Sequence, residues 1–185
     1  IQPVILQGNQ MAAHAGALSA TGRIMALLTT SIKDVVAPAS SLQIFNRVEG
    51  KQLFELTGYE GNIHETEFSP DELLFAAAGD NGTIYLWETT SGKNIGKLTG
   101  HQGGITSLRF SADSEQLLSS SKDQSARLWN VPNQTLTLTL AGHKGTVLDA
   151  VFMKSEFLAV SLGTDKNLKL WNLLSGKELN DYSIT

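Results

Sequence analysis

The sequence predicts an all-β fold built from four repeated units, each a four-stranded antiparallel sheet. Three observations predict it. Trp87, Trp129 and Trp171 recur at intervals of 42 residues. The loops Gly58-Tyr59-Glu60-Gly61, Gly100-His101-Gln102-Gly103 and Gly142-His143-Lys144-Gly145 recur at the same interval. Between these markers each unit holds four short apolar-rich runs separated by turn residues, a pattern of stacked strand repeats.

The first run of each unit places apolar residues at Ile105, Leu108 and Phe110, matched by Val147, Ala150 and Phe152, and by Ile63 and Phe68 around Thr66. That spacing is not strict alternation, and one extra residue, a bulge, restores the side-chain phase. The second strand is read at 73–78, 116–121 and 156–162, and the third at 83–87, 125–129 and 167–171. A hairpin follows, in which Glu49-Gly50, Ser91-Gly92 and Ser175-Gly176 supply a residue tolerant of positive φ. Pro132-Asn133 takes that turn in the third unit. A fourth strand runs on to the next loop, as at 178–184. Extending the register backward puts Phe45 in the Trp position and aligns 6–10 with 98–102. Gly8 and Gly58 are 50 residues apart, so the first unit carries an insertion of 8, placed between Thr30 and Ser41.

Composition removes several function classes. The 185 residues include no cysteine, which excludes thiolate catalysis, disulfides and Cys-ligated metal and fits a reducing, cytoplasmic setting. The 14 basic residues are scattered among 18 acidic ones, so no nucleic-acid footprint is expected. No apolar stretch reaches the roughly 20 residues of a membrane span, and no basic-apolar leader opens the sequence. The glycines at 100–104 lie between strands and lack the Lys-Ser/Thr and helix of a phosphate loop. No metal or cofactor is expected: His14 and His64 fall on first strands, without a second ligand at metal spacing.

His101, Ser119, Asp123 and Trp129 recur as His143, Ser161, Asp165 and Trp171 with identical spacings. Ser, His and Asp together suggest nucleophilic catalysis, but a nucleophile is built once in a scaffold, and this set is repeated unit by unit. With the Gly-His loops and the terminal Trp, the sequence resembles the WD40 repeat family of β-propellers, strongly over 58–185 and weakly over 1–57. The resemblance implies blades around a central channel, with no catalytic residue of their own. It also implies a hydrogen-bond chain in which the Asp holds the His, the His reaches the Ser, and the hydroxyl meets the indole N–H. The family's terminal Asp is replaced by Asn46, Glu88, Asn130 and Asn172. In the second unit Tyr59 and Ala77 replace the His and the Ser together, as a bonded chain requires. The first unit, with Asn9, Val35 or an inserted residue, and Phe45, lacks the set. Both are therefore expected to rest on apolar packing alone.

The expected organisation is one repeat region over 1–185. Residues 1–6 form the last strand of a preceding blade, 7–57 a degenerate blade with its insertion near 31–40, and 58–99, 100–141 and 142–185 three further blades. That makes seventeen strands for the sixteen places of a closed four-bladed ring. The start at Ile1 and this surplus strand point to a partial propeller completed by further blades of the same or another chain.

Function is then sought on the rim. Candidate partner-binding residues are Tyr59, Glu60, Asp80, Gln102, Lys122, Lys144 and Thr164, together with Ile32, Lys33, Asp34, Val35 and Val36 of the insertion, whose apolar members would be brought toward solvent. Glu65, Glu67, Arg109 and Asp149 are placed on the channel wall. The expected function is a non-enzymatic scaffold or sensor that binds a protein or peptide. The alternatives are an accessory propeller of a larger enzyme or signalling NTPase or kinase, and a structural subunit of an assembly.

Overall fold

The structure, a computed structural model, describes residues 11–31, 40–154 and 157–184, and the side chains of most of these. The strands are β1 (Met11–Leu18), β2 (Ile24–Ser31), β3 (Ser40–Asn46), β4 (Lys51–Leu56), β5 (Ile63–Phe68), β6 (Leu74–Gly79), β7 (Ile84–Glu88), β8 (Asn94–Leu98), β9 (Ile105–Phe110), β10 (Gln116–Ser121), β11 (Ser125–Asn130), β12 (Thr135–Ala141), β13 (Val147–Phe152), β14 (Leu158–Gly163), β15 (Asn167–Asn172) and β16 (Glu178–Ser183). Each consecutive set of four forms one antiparallel meander, giving four separate sheets.

The predicted bulge occurs at one repeat position in every sheet. The pairing of first and second strands steps over His14, His64, Thr106 and Leu148. A second bulge, which the apolar pattern does not signal, steps over Leu53, Ile95, Thr137 and Leu179 in the fourth strands. Two bulges per sheet strengthen the twist that lets successive sheets stack face to face.

The turns explain the tolerated loss of the terminal Asp. Asn46 Oδ1 accepts hydrogen bonds from the N–H groups of Val48 and Glu49, and Asn172 Oδ1 from those of Leu174 and Ser175. An amide oxygen does this work as well as a carboxylate. Gly50, Gly92 and Gly176 take positive φ as expected. In the third blade the left-handed residue is Gln134 (φ 54°), one place after the expected Pro132-Asn133.

The cores lie between blades. One is formed by Leu28, Leu42, Ile44 and Leu56 of the first blade against Phe68, Phe75 and Trp87 of the second. The next sets Ile84, Leu86 and Leu98 against Leu108, Leu117 and Trp129, and the third sets Leu118, Leu128 and Leu140 against Ala150, Ala159 and Trp171. At each of the three interfaces, therefore, the Trp-bearing face of the later blade meets an aliphatic face of the earlier one. The innermost strands β1, β5, β9 and β13 pack in that order.

The fourth blade breaks the pattern on its aliphatic face. Leu118, Ala126, Leu128 and Leu140 of the third blade are almost wholly buried, as are Ala76, Ile84, Leu86 and Leu98 of the second. Their counterparts in the fourth, Val160, Leu168 and Leu170, are only half-buried, and Tyr182 is 51% exposed. The expected strand at 1–6 lies outside the described residues.

Candidate functional site

The two repeated polar sets are closed hydrogen-bond chains. His101 comes from the loop between β8 and β9, Ser119 from β10, Asp123 from the β10–β11 turn and Trp129 from β11. His101 Nδ1 lies 2.7 Å from Asp123 Oδ2, and its Nε2 2.8 Å from Ser119 Oγ. Trp129 Nε1 donates to the same hydroxyl at 2.8 Å. Since the carboxylate accepts from Nδ1–H, the neutral imidazole accepts at Nε2 and Ser119 donates to it. In the fourth blade His143 Nδ1 lies 3.0 Å from both oxygens of Asp165, Nε2 2.7 Å from Ser161 Oγ, and Trp171 Nε1 2.8 Å from that hydroxyl. The Asp also accepts from the backbone of the incoming loop, at Gln102 N–H and at Lys144 N–H.

The electrostatics follow from burial. Burial lowers the His101 pKa below the ordinary imidazole value, and the hydrogen bond to Asp123 only partly opposes it. Burial would raise Asp123, but hydrogen bonds from Ser125, His101 and Gln102 N–H outweigh it and bring the carboxyl to about 2. Ser119 and Ser161 are enclosed, and each hydroxyl already has a donor and an acceptor, which leaves no approach for a substrate.

The second blade corrects the expectation of apolar packing alone. Where the His and the Ser are missing, Trp87 Nε1 donates to Thr57 O at 3.0 Å, which ties the indole to the loop leaving the first blade. Tyr59 packs edge-on against Trp87 and Tyr85, with ring centroids 6.2 and 6.4 Å apart. The Tyr85 hydroxyl accepts from Glu60 N–H and Asn81 Nδ2. An aromatic cluster with its own polar tether replaces the imidazole chain. Its signal in the sequence is Tyr85, standing where the third and fourth blades carry Arg127 and Lys169. In the first blade Asn9 and Val35 lie outside the described residues.

The rim candidates Tyr59, Glu60, Asp80, Gln102, Lys122, Lys144 and Thr164 lie in the interblade loops and the turns between second and third strands, all at one end of the sheets. Tyr59 is half-buried and the others are exposed. The structure joins two of them: Lys122 Nζ is 3.2 Å from Asp80 Oδ1, which also meets His64 Nε2 at 3.3 Å. Gln102 Nε2 donates to Gly100 O. Ile32, Lys33, Asp34, Val35 and Val36 lie outside the described residues. On the inner strands Arg109 reaches Glu67 at 3.4 Å and Asp149 at 3.3 Å, linking three successive blades. Among the described residues no group of three or more His, Asp or Glu is placed to hold a metal ion, and no helix is long and apolar enough to cross a membrane.

A family model described as WD domain, G-beta repeat matches residues 50–88, 92–130 and 134–172. No curated protein matches the chain. Each matched unit starts in the hairpin before a fourth strand and ends at the close of the next sheet's third strand, so it links two blades. Repeats of this kind generally mediate protein–protein interaction and are typically non-catalytic. Three consecutive matches over more than half of the chain, on four-stranded sheets with the Gly-His and Trp tethers in place, mean that the chain belongs to the WD40 repeat family.

Proposed function

We propose that this chain is a non-enzymatic protein-interaction scaffold: an arc of blades, completed by further blades of the same kind, that binds a protein or peptide partner through its Gly-His rim. One observation carries the reading. The aliphatic face of the fourth blade keeps apolar residues at the positions buried in blades two and three, yet nothing among the described residues covers it. An apolar face of this kind is stable in water only when another surface meets it. The three interblade cores, each with a Trp-bearing face packed on an aliphatic one, support the Trp-bearing face of a following blade as the surface that fits.

The enclosed Ser119 and Ser161 support a non-enzymatic role, and the exposed Glu60, Gln102, Lys144 and Thr164 support the rim as the contact surface. The cysteine-free composition supports a cytoplasmic setting. Two measurements test the reading. Leu170→Asp should abolish the association of the chain with a blade-bearing partner or a second array, read by sedimentation. A photo-crosslinking residue at Gln102 or Lys144 should give discrete protein adducts in cells, and the same residue at Thr139 on the outer strand β12 should not. Unchanged sedimentation, or equal labelling from the rim positions and from Thr139, would remove the corresponding half of the proposal.

A further inference from the structure

The end of the sheets opposite the Gly-His loops carries a groove that the rim reading leaves unused. It lies between the second and third blades and encloses about 480 Å³, within the range of ligand-binding clefts. Leu74, Ile95, Val131 and Pro132 give it an apolar floor. Four acidic residues stand around that floor: Asp71 from a turn and Glu88 from the end of β7 in the second blade, and Asp113 and Glu115 from a turn of the third. None of the residues that line it is Lys, Arg or His.

The groove is held in shape by bonds between the blades. Asp71 N–H donates to Ser114 Oγ at 3.2 Å, and Gln134 Nε2 donates to Ile95 O at 2.8 Å. The second bond needs Gly96, because a Cβ there would fall 1.9 Å from Gln134 Oε1. Asp113 accepts from the Ser111 hydroxyl and the Glu115 N–H, which hold its pKa below the ordinary value and keep it charged.

This set of four carboxylates is not repeated in full between the next two blades. The corresponding hollow between the third and fourth blades is smaller, about 160 Å³, and its lining includes Asp113 together with Phe157 and Leu174. One repeat on, Glu88 becomes Asn130 and Glu115 becomes Phe157. Four negative charges over a low-dielectric floor focus a field that attracts a cation, and the floor rewards apolar groups beside it.

We propose that this groove binds an extended peptide segment carrying one Lys or Arg side chain flanked by apolar residues, independently of whatever occupies the Gly-His rim. The test uses the full chain and a fluorescein-labelled pool of octapeptides with Arg or Lys at the fourth position and Leu, Val or Pro at the third and fifth. Saturable binding is expected, with broadening of Leu74 and Ile95 methyl signals in NMR spectra. Pools with Glu at the fourth position, or Gly at the third and fifth, should bind at least about tenfold more weakly. Glu115 is exposed, so Glu115→Lys should weaken binding by a similar factor at unchanged thermal midpoint, and Glu88→Gln should do so to a smaller degree. Raising the salt should weaken binding further. Lys144→Glu on the other end should leave it unchanged. Absence of saturable binding, indifference to Glu115→Lys, or equal competition by free arginine would overturn the proposal.

Discussion

Lys122 Nζ sits 3.2 Å from Asp80 Oδ1, and the two residues occupy the same position in neighbouring blades, 42 residues apart. Most of the tethers between blades share this logic: a side chain reaches back or forward by about one repeat. Arg109 does so to Glu67 and Asp149, and Asp71 N–H to Ser114. Stability in such an array is a sum of intrinsic blade terms and nearest-neighbour contacts.

The Lys122–Asp80 pair is exposed on both sides. A double-mutant cycle with Lys122→Gln and Asp80→Asn, measured by urea unfolding, is expected to return no more than about 1 kcal/mol, falling with salt. These rim charges can therefore be changed in binding assays without unfolding the blade.

The buried chain in the third blade behaves differently. Ser119→Ala strands both His101 Nε2 and Trp129 Nε1 and is expected to cost about 1–3 kcal/mol. Adding His101→Tyr, which reproduces the Tyr59 and Ala77 pairing of the second blade, should cost less than the sum of the two single changes. Strict additivity in the cycle would mean that the hydroxyl and the imidazole act separately.

Acid should destabilise the fold in two windows. His101 is held below the ordinary imidazole value when folded, so below about pH 6.5 the unfolded chain binds the extra proton and stability falls with pH until the folded group also titrates. Asp123 is lowered to about 2, so its contribution is complete above the ordinary carboxyl value and is lost as pH falls toward 2. Unfolding free energies from pH 7.5 to 5 should decline less steeply in His101→Gln than in the native sequence. Parallel declines would dismiss His101 as the source.

Equivalent leucines in successive blades should respond unequally. Leu128→Ala, in a filled core, is expected to cost about 2–5 kcal/mol, and Leu170→Ala on the uncovered face clearly less in urea unfolding. The gap should close when a covering blade is bound.

Gly79 occupies the repeat position of Ser121 and Gly163, so repeat logic alone would allow Gly79→Ser. The structure forbids it: a Cβ at Gly79 would lie 1.5 Å from the backbone oxygen of Asn62. Overpacking of about 1–3 kcal/mol or more is expected, read as a drop in the thermal midpoint.

The last three sheets and the bulge at His64, Thr106 and Leu148 were legible because each is a period-42 regularity, and repetition averages out local ambiguity, whereas the partners of His101 and His143 were implied by the family resemblance. The second bulge was not legible, because the outermost strands are mostly solvent-facing and their side chains carry no phase. The aromatic cluster around Tyr85 was missed for a related reason: it occurs in one blade only, and a substitution seen once has no repeat to reveal its partners.

By itself the sequence determined the repeat, its strands and the recurrence of Ser, His, Asp and Trp, since these follow from spacing along one chain; how the four pair was implied by the resemblance to WD40 repeats. Only the tertiary structure decided which apolar faces are covered, that Asn62 fills the space beside Gly79, and that four carboxylates from two blades meet over one apolar floor. Those facts depend on how neighbouring sheets stack, and stacking brings together residues whose closeness no local pattern encodes.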